Sequence, residues 1–322
     1  MADEKVRDDW WYHVKGAIRR TPLIGPPLAA LHRTIWPPPP PPPPPSEPAQ
    51  DPLPEPIPDG ATVEQIRAYM DRHFADGTAY RMRAGWDATR GIEIAQAVLK
   101  FIRRVGDPAD LRILDIGCGC GGVVGEVEKA RELVGIELSE VAVETARKNF
   151  GHRSDVRFLQ MDATKPDFPD GYFDVAVARE LVEHVPEPAK VIAGAHRVVR
   201  PGGLLVVTSP NRDSFHLRMN RLLGHADFMC SVDHVKEYTY SEMCSMITAA
   251  GFQVEAAEGV FFQPYWGIPE IDTPMRRYTD NDPEVIEWLR LIGRRVGPEF
   301  AFGYVIVARK PGGGPETAPP AV

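Results

Sequence analysis

The chain has 322 residues, 37 of them Lys or Arg and 45 Asp or Glu, for a net charge of −8. That acidity argues against a nucleic-acid partner, which calls for clustered basic residues. At 43% hydrophobic and 25% charged residues the balance is that of a globular protein of about two domains, with no apolar run of the roughly 20 residues a membrane span needs.

In chain order, the first segment is a Trp-rich basic arm, residues 1–36. Trp10, Trp11, Tyr12 and Trp36 accompany Lys15, Arg19, Arg20 and Arg33. Aromatic and basic residues together suit a peripheral membrane surface or an acidic partner. Packing against the protein itself or a sister subunit, and so an oligomer, is the other reading of residues 10–36. The start of the chain is acidic and lacks an apolar signal region, and four cysteines are too few for a disulfide scaffold, so a cytoplasmic location is expected. Residues 37–60 open with nine consecutive prolines, which predict an extended polyproline spacer.

Residues 61–310 read as a single catalytic domain. Helices are predicted over 63–74 and 86–105, the second with Ile92, Ala95, Val98, Leu99 and Ile102 on its buried face. Strand-like runs follow at 112–116, 132–136, 156–160, 173–178, 204–208 and 300–310, with helices at 141–149, 190–200 and 241–250. This alternation, with near-continuously apolar strands, predicts an α/β, Rossmann-like, mostly parallel sheet with helices on both faces. Residues 311–322 are Pro/Gly-rich and expected to be a disordered tail.

The stretch from Ile113 to Gly122 runs from a buried strand into a glycine-dense turn. Gly117, Gly119 and Gly121 allow a sharp turn and close approach of a ligand to the backbone around Cys118. A Gly-rich turn alone also fits dinucleotide folds. The G-x-G-x-G spacing, Asp115 just before the turn and the absence of Lys or Arg in the loop favour S-adenosylmethionine, which has no pyrophosphate. Glu137, twenty residues after Gly117, ends the next strand where a carboxylate can accept from two ribose hydroxyls, with Leu138 beside it. Asp162, followed by Ala163, ends the third and can accept from an adenine amino group. Arg179 ends the fourth and joins the cofactor-binding set.

These motifs, in this order, resemble the class I S-adenosylmethionine-dependent methyltransferases. The resemblance covers about residues 86–310 and implies a seven-stranded sheet with an antiparallel strand at one edge. After the fourth strand come Glu180, Glu183 and His184, at i, i+3 and i+4, which one helical turn would place on one face. Together with the later His234 they are similar to the pattern of ubiquinone-pathway O-methyltransferases, and also of small-RNA 2′-O-methyltransferases. There the resemblance implies a divalent ion (Mg²⁺, Mn²⁺ or Zn²⁺) held by Glu180, Glu183, His184 and His234 beside the acceptor oxygens. A metal-free site with His184 or His234 as catalytic base, or carboxylates that merely cap backbone amides, are the other readings of the same residues. Two aromatic-rich segments, 212–232 and 261–298, are expected to cap the acceptor or, equally, to form an extra packing layer. The activity expected is O-methylation of a small-molecule hydroxyl (a phenol, quinone precursor, sugar or specialised metabolite). RNA 2′-O-methylation and a non-catalytic cofactor-binding scaffold are the alternatives.

Overall fold

The computed structural model describes residues 57, 60–75, 86–268, 271–279 and 282–312. The basic arm with its membrane or partner contact, almost all of the proline spacer, and the tail beyond Gly312 lie outside the described residues.

The elements are α1 (Val63–Ala75), α2 (Trp86–Ile102), β1 (Arg112–Ile116), α3 (Gly122–Glu126), β2 (Glu132–Glu137), α4 (Glu140–Phe150), β3 (Val156–Gln160) and β4 (Phe173–Arg179). They continue with α5 (Pro188–Val198), β5 (Val199–Pro210), α6 (Phe215–Leu222), α7 (Tyr240–Ala249), β6 (Gln253–Val260), α8 (Asp272–Thr279), α9 (Pro283–Val296) and β7 (Gly303–Arg309).

The strands form one seven-stranded sheet in the order β3-β2-β1-β4-β5-β7-β6. β1 to β5 pair in parallel. β7 runs antiparallel to both β5 and β6. The antiparallel strand is therefore one in from the edge, not at it, because β7 inserts between β5 and β6. The strand order reverses between β1 and β4, so their carboxyl ends open a crevice where open α/β sheets bind ligands.

Strand side chains alternate between two cores. Ile113, Val175, Val206 and Val307 join Ile94, Val98 and Phe101 of α2, Val143 and Ala146 of α4, and Ile286 and Leu289 of α9. Leu114, Ala176, Val207 and Ile306 join Val191, Ile192 and Ala195 of α5 and Met243 and Ile247 of α7. Burial on both faces is why the strands read as continuous apolar runs.

The expected buried face of α2 is right at Val98, Leu99 and Ile102 and wrong at its start. Ile92 is 58% exposed, and the packed face runs through Trp86, Ile94, Ala97, Val98, Phe101 and Ile102. Glu93 holds that phase although charged. Its carboxylate accepts from Arg294 Nε at 2.7 Å and from the Phe261 amide at 3.2 Å, so burial leaves it partnered. α7 starts with a capping box between Thr239 and Glu242, which fixes its N-terminus one residue earlier than expected.

All seven strands lie between residues 112 and 309. Removing residues 1–58 should therefore leave one cooperative thermal transition and intact binding of S-adenosylhomocysteine, measured by calorimetry. Loss of the transition would make the arm an integral layer of the fold.

Candidate active site

The turn after β1 is shaped by its hydrogen bonds. The Gly117 and Cys118 amides both donate to the Ile136 carbonyl of β2, at 2.9 and 3.0 Å. Gly117, Gly119 and Gly121 all have positive φ, at 71°, 50° and 102°, a region open chiefly to glycine. Asp115 Oδ2 accepts from the Val123 amide at 3.2 Å, satisfying one of the free donors at the start of α3. Burial, partly offset by Arg179 and that amide, pushes the Asp115 carboxyl up to about 7.

Glu137 gathers the loops on either side. Its Oε1 accepts from the amides of Leu138 at 2.7 Å and Ser139 at 3.0 Å, and its Oε2 from the Gly119 amide at 3.1 Å. Burial raises it despite the three amides. Asp162 Oδ1 accepts from the Thr164 amide and hydroxyl at 2.8 and 2.7 Å.

All ten cofactor residues expected from the sequence border one cavity of about 930 Å³. Arg179 borders it with its charge committed to Glu126 on α3, so it braces the turn. The sequence did not reveal the opposite wall. Val63, Ile66, Met70, His73 and Phe74 of α1 line the chamber, facing Leu181, Val185, Pro186 and Asp233. The i, i+3, i+7, i+10, i+11 spacing in α1 was the available signal.

Neither 212–232 nor 261–298 contributes a described residue to the cavity. Several of their rings pack in or against the core instead, among them Phe228, Phe261, Phe262 and Trp266, while Trp288 is 63% exposed. Phe261, Trp266 and Phe302 surround Trp86 with centroids 5.3 to 6.0 Å away. Phe228 stands edge-on to Trp266 at 5.4 Å.

The four proposed metal ligands divide. Glu180, at φ 48°, is claimed by Arg90 Nη1 at 2.5 Å and the Thr208 hydroxyl at 2.9 Å. Against burial, the Arg90 guanidinium holds its carboxyl below the usual range. It therefore stands apart from the other three. Glu183, His184 and His234 bring one ligand atom each within 4.8 Å of one another. The expected single helical turn is only a 3₁₀ turn over Val182–His184, and Glu180 lies before it at positive φ, held by Arg90 and Thr208.

Both Glu183 carboxylate oxygens are buried without a hydrogen-bond partner. Burial and the neighbouring Glu180 charge push Glu183 up to about 8. His184 Nδ1 lies 3.0 Å from the Asp233 carbonyl, and His234 Nδ1 lies 2.6 Å from Glu237 Oε1. Both partners accept, so in the neutral ring each Nδ1 carries the hydrogen and Nε2 keeps its lone pair, the arrangement that orients imidazole ligands. Burial lowers His184. For His234 burial is outweighed by the Glu237 carboxylate, and the net shift is upward. The two rings meet edge-on at 4.8 Å. Of the trio, only His184 reaches the cavity wall. The donor set, with an orphaned buried carboxylate and two oriented imidazoles, fits a divalent ion.

A Gly-rich turn after β1, an acid closing β2 and another following β3, all on one cavity at the strand-order reversal, define a nucleoside-binding enzyme of the methyltransferase class. Residues 88–257 match the model of a methyltransferase domain family, and the chain belongs to this family of S-adenosylmethionine-dependent methyltransferases. It is 31% identical over 194 residues to a ubiquinone biosynthesis O-methyltransferase of Aromatoleum aromaticum, covering 56% of this chain and 81% of the relative. It is 35% identical over 164 residues to the Aeromonas salmonicida enzyme of the same name, covering 48% and 67%. Among solved structures, the [4+2]-cyclase SpnF aligns with a TM-score of 0.51 at 21% identity, over 80% of this chain and all of that one. A methyltransferase from Thermotoga maritima aligns with a TM-score of 0.50 at 18% identity, over 77% and 100%. These two likenesses concern the fold.

Gly119→Val should abolish S-adenosylhomocysteine binding in calorimetry while the thermal transition persists, because a β-branched residue cannot adopt the φ of 50° without strain. Asp115 yields a second test. Its raised folded value means that the protein alone loses stability from this group as pH climbs from the ordinary carboxylate value toward 7. A cofactor ammonium beside it would favour the ionised form. Cofactor affinity should then fall about tenfold per unit as pH drops below 7, until the value in the complex is reached. Asp115→Asn should bind weakly with a flat profile, and a wild-type profile already flat between pH 5 and 7 would rule out the pairing.

Proposed function

We propose that the enzyme methylates a hydroxyl of a small, ring-bearing acceptor, of the phenol or quinone-precursor kind. The observation that carries this reading is the chamber wall. Ile66, Met70 and Phe74 oppose Leu181, Val185 and Pro186, with the His184 imidazole and the Asp233 carboxylate on the same cavity. Apolar walls with a few convergent polar groups suit an aromatic acceptor presenting one polar edge. Similarity to enzymes named for ubiquinone biosynthesis supports the same class of acceptor.

S-adenosylmethionine supplies an already activated methyl group. The chain must hold the acceptor oxygen in line and remove its proton, and alignment alone can contribute about 7–11 kcal/mol. His184 is suited to that edge: neutral through burial and with Nδ1–H committed to Asp233, it keeps the Nε2 lone pair for a proton or an ion. Glu183, His184 and His234 would hold a divalent ion that lowers the hydroxyl's pKa. Two imidazoles with one carboxylate favour Zn²⁺ or Mn²⁺ over Mg²⁺, which prefers oxygen donors.

The test is a panel of hydroxylated aromatics with labelled cofactor, with and without chelator. Exhaustive chelation should abolish methyl transfer while S-adenosylhomocysteine still binds, and added Mn²⁺ or Zn²⁺ should restore it. His184→Ala and His234→Ala should each lose activity by a similar factor, on the order of 10²-fold or more. Activity that survives chelation, with only His184→Ala impaired, would discard the ion and leave His184 as base. A panel without any methylated phenol would sink the acceptor class.

A further inference from the structure

The wall of the chamber is tied to the cofactor turn through one side chain. Asp71 of α1 accepts from the Ser139 hydroxyl at 2.6 Å and from the Val141 amide at 3.4 Å. Ser139 is fully buried, and its hydroxyl also caps α4 by accepting from the Ala142 amide at 3.2 Å. The Ser139 amide donates to Glu137 Oε1, the acid at the ribose position. A chain of hydrogen bonds thus runs from the Gly119 amide through Glu137 and Ser139 to Asp71. An acid at the first turn of α4 is also favoured by the helix dipole.

Of the thirteen residues of α1 only Ile66 and Tyr69 are buried, while Met70, His73 and Phe74 border the cavity. A ligand filling the chamber buries the apolar face of α1, so it favours the seated helix. By reciprocity the seated helix favours the ligand. Two residues past Asp71, His73 Nε2 comes 3.7 Å from Asp233 Oδ2, and the same oxygen lies 3.6 Å from His184 Nδ1. The register that Asp71 sets is therefore also the register at the catalytic edge.

We propose that Asp71 is a positioning residue: its hydrogen bond to Ser139 seats α1 on the cofactor's ribose turn, so that cofactor binding fixes the acceptor wall and the acceptor binds second. This holds for any acceptor, and none is used in the test, so a failed acceptor screen leaves it standing.

The experiment is amide hydrogen exchange by mass spectrometry on the full chain, with and without saturating S-adenosylhomocysteine. In the wild type, the cofactor product should slow exchange across 63–75 by about tenfold or more. Asp71→Ala should keep protection of the Gly-rich turn, residues 113–125, while slowing at 63–75 falls below about threefold and the dissociation constant rises about three- to tenfold. Asp71→Asn retains an oxygen that accepts from Ser139 and should stay close to wild type. Equal exchange at 63–75 with and without ligand in the wild type would overturn the proposal. So would unchanged coupling in Asp71→Ala, or an Asn variant that behaves like Ala. Should Asp71→Ala lose its thermal transition, wild type and Asp71→Asn still decide between these outcomes.

Discussion

The site depends on carboxylates buried at the carboxyl ends of parallel strands. Parallel pairing brings the ends of β1, β2 and β4 to one edge, and the helical layers draw that edge into apolar surroundings. Asp115, Glu137 and Glu183 are only 2%, 8% and 1% exposed, and burial raises all three. A carboxylate taken from water must find donors nearby or take up a proton. For Asp115 and Glu137 the donors are backbone amides, which the loops can supply only by folding around the acids. The positive φ values of the Gly-rich turn follow from that demand. S-adenosylmethionine, carrying a sulfonium and an ammonium, is the electrostatic complement of such a pocket.

The apolar side of the chamber obeys a different economy. Phe261, Trp266 and Phe302 pack around Trp86, each meeting close-packed partners in the core. His216 belongs to that layer. It stacks on Phe302 at 5.3 Å and 12°, and burial lowers it to about 3, so it remains neutral and structural. The opposite wall of the chamber falls to α1, of whose residues only Ile66 and Tyr69 are buried.

The architecture was legible in the sequence wherever burial was two-sided, because apolar runs such as 112–116 and 173–178 leave little choice of structure. The residues expected to hold the cofactor border one cavity for a related reason: they lie at or just after the carboxyl ends of strands, so locating the strands locates the group. The phase at the start of α2 was not legible, because Glu93 is buried through a partnership with Arg294 that lies 201 residues away. The α1 wall was missed because its face is only half apolar, and nothing local states what it faces. Aromatic content in 212–232 and 261–298 pointed to the pocket, yet the same composition serves a core equally well.

Glu180 and Glu183 show how a distant residue reassigns a local motif. Three positions apart and both acidic, they look equivalent in sequence. Arg90, on α2, neutralises Glu180, and the Thr208 hydroxyl donates to its other oxygen. That anchoring holds the residue at its positive φ, a strain that surrounding contacts must support. Glu183 has no such cation. It lies behind His184 with unpartnered oxygens, and the nearest ionisable groups that can ease it are the imidazoles. A proton or a metal ion can meet that need, and each leaves the His184 ring oriented by Asp233. The ion pair at Glu180 therefore decides the chemistry available at Glu183: by taking the arginine for itself, it leaves the second acid to a ligand of another kind.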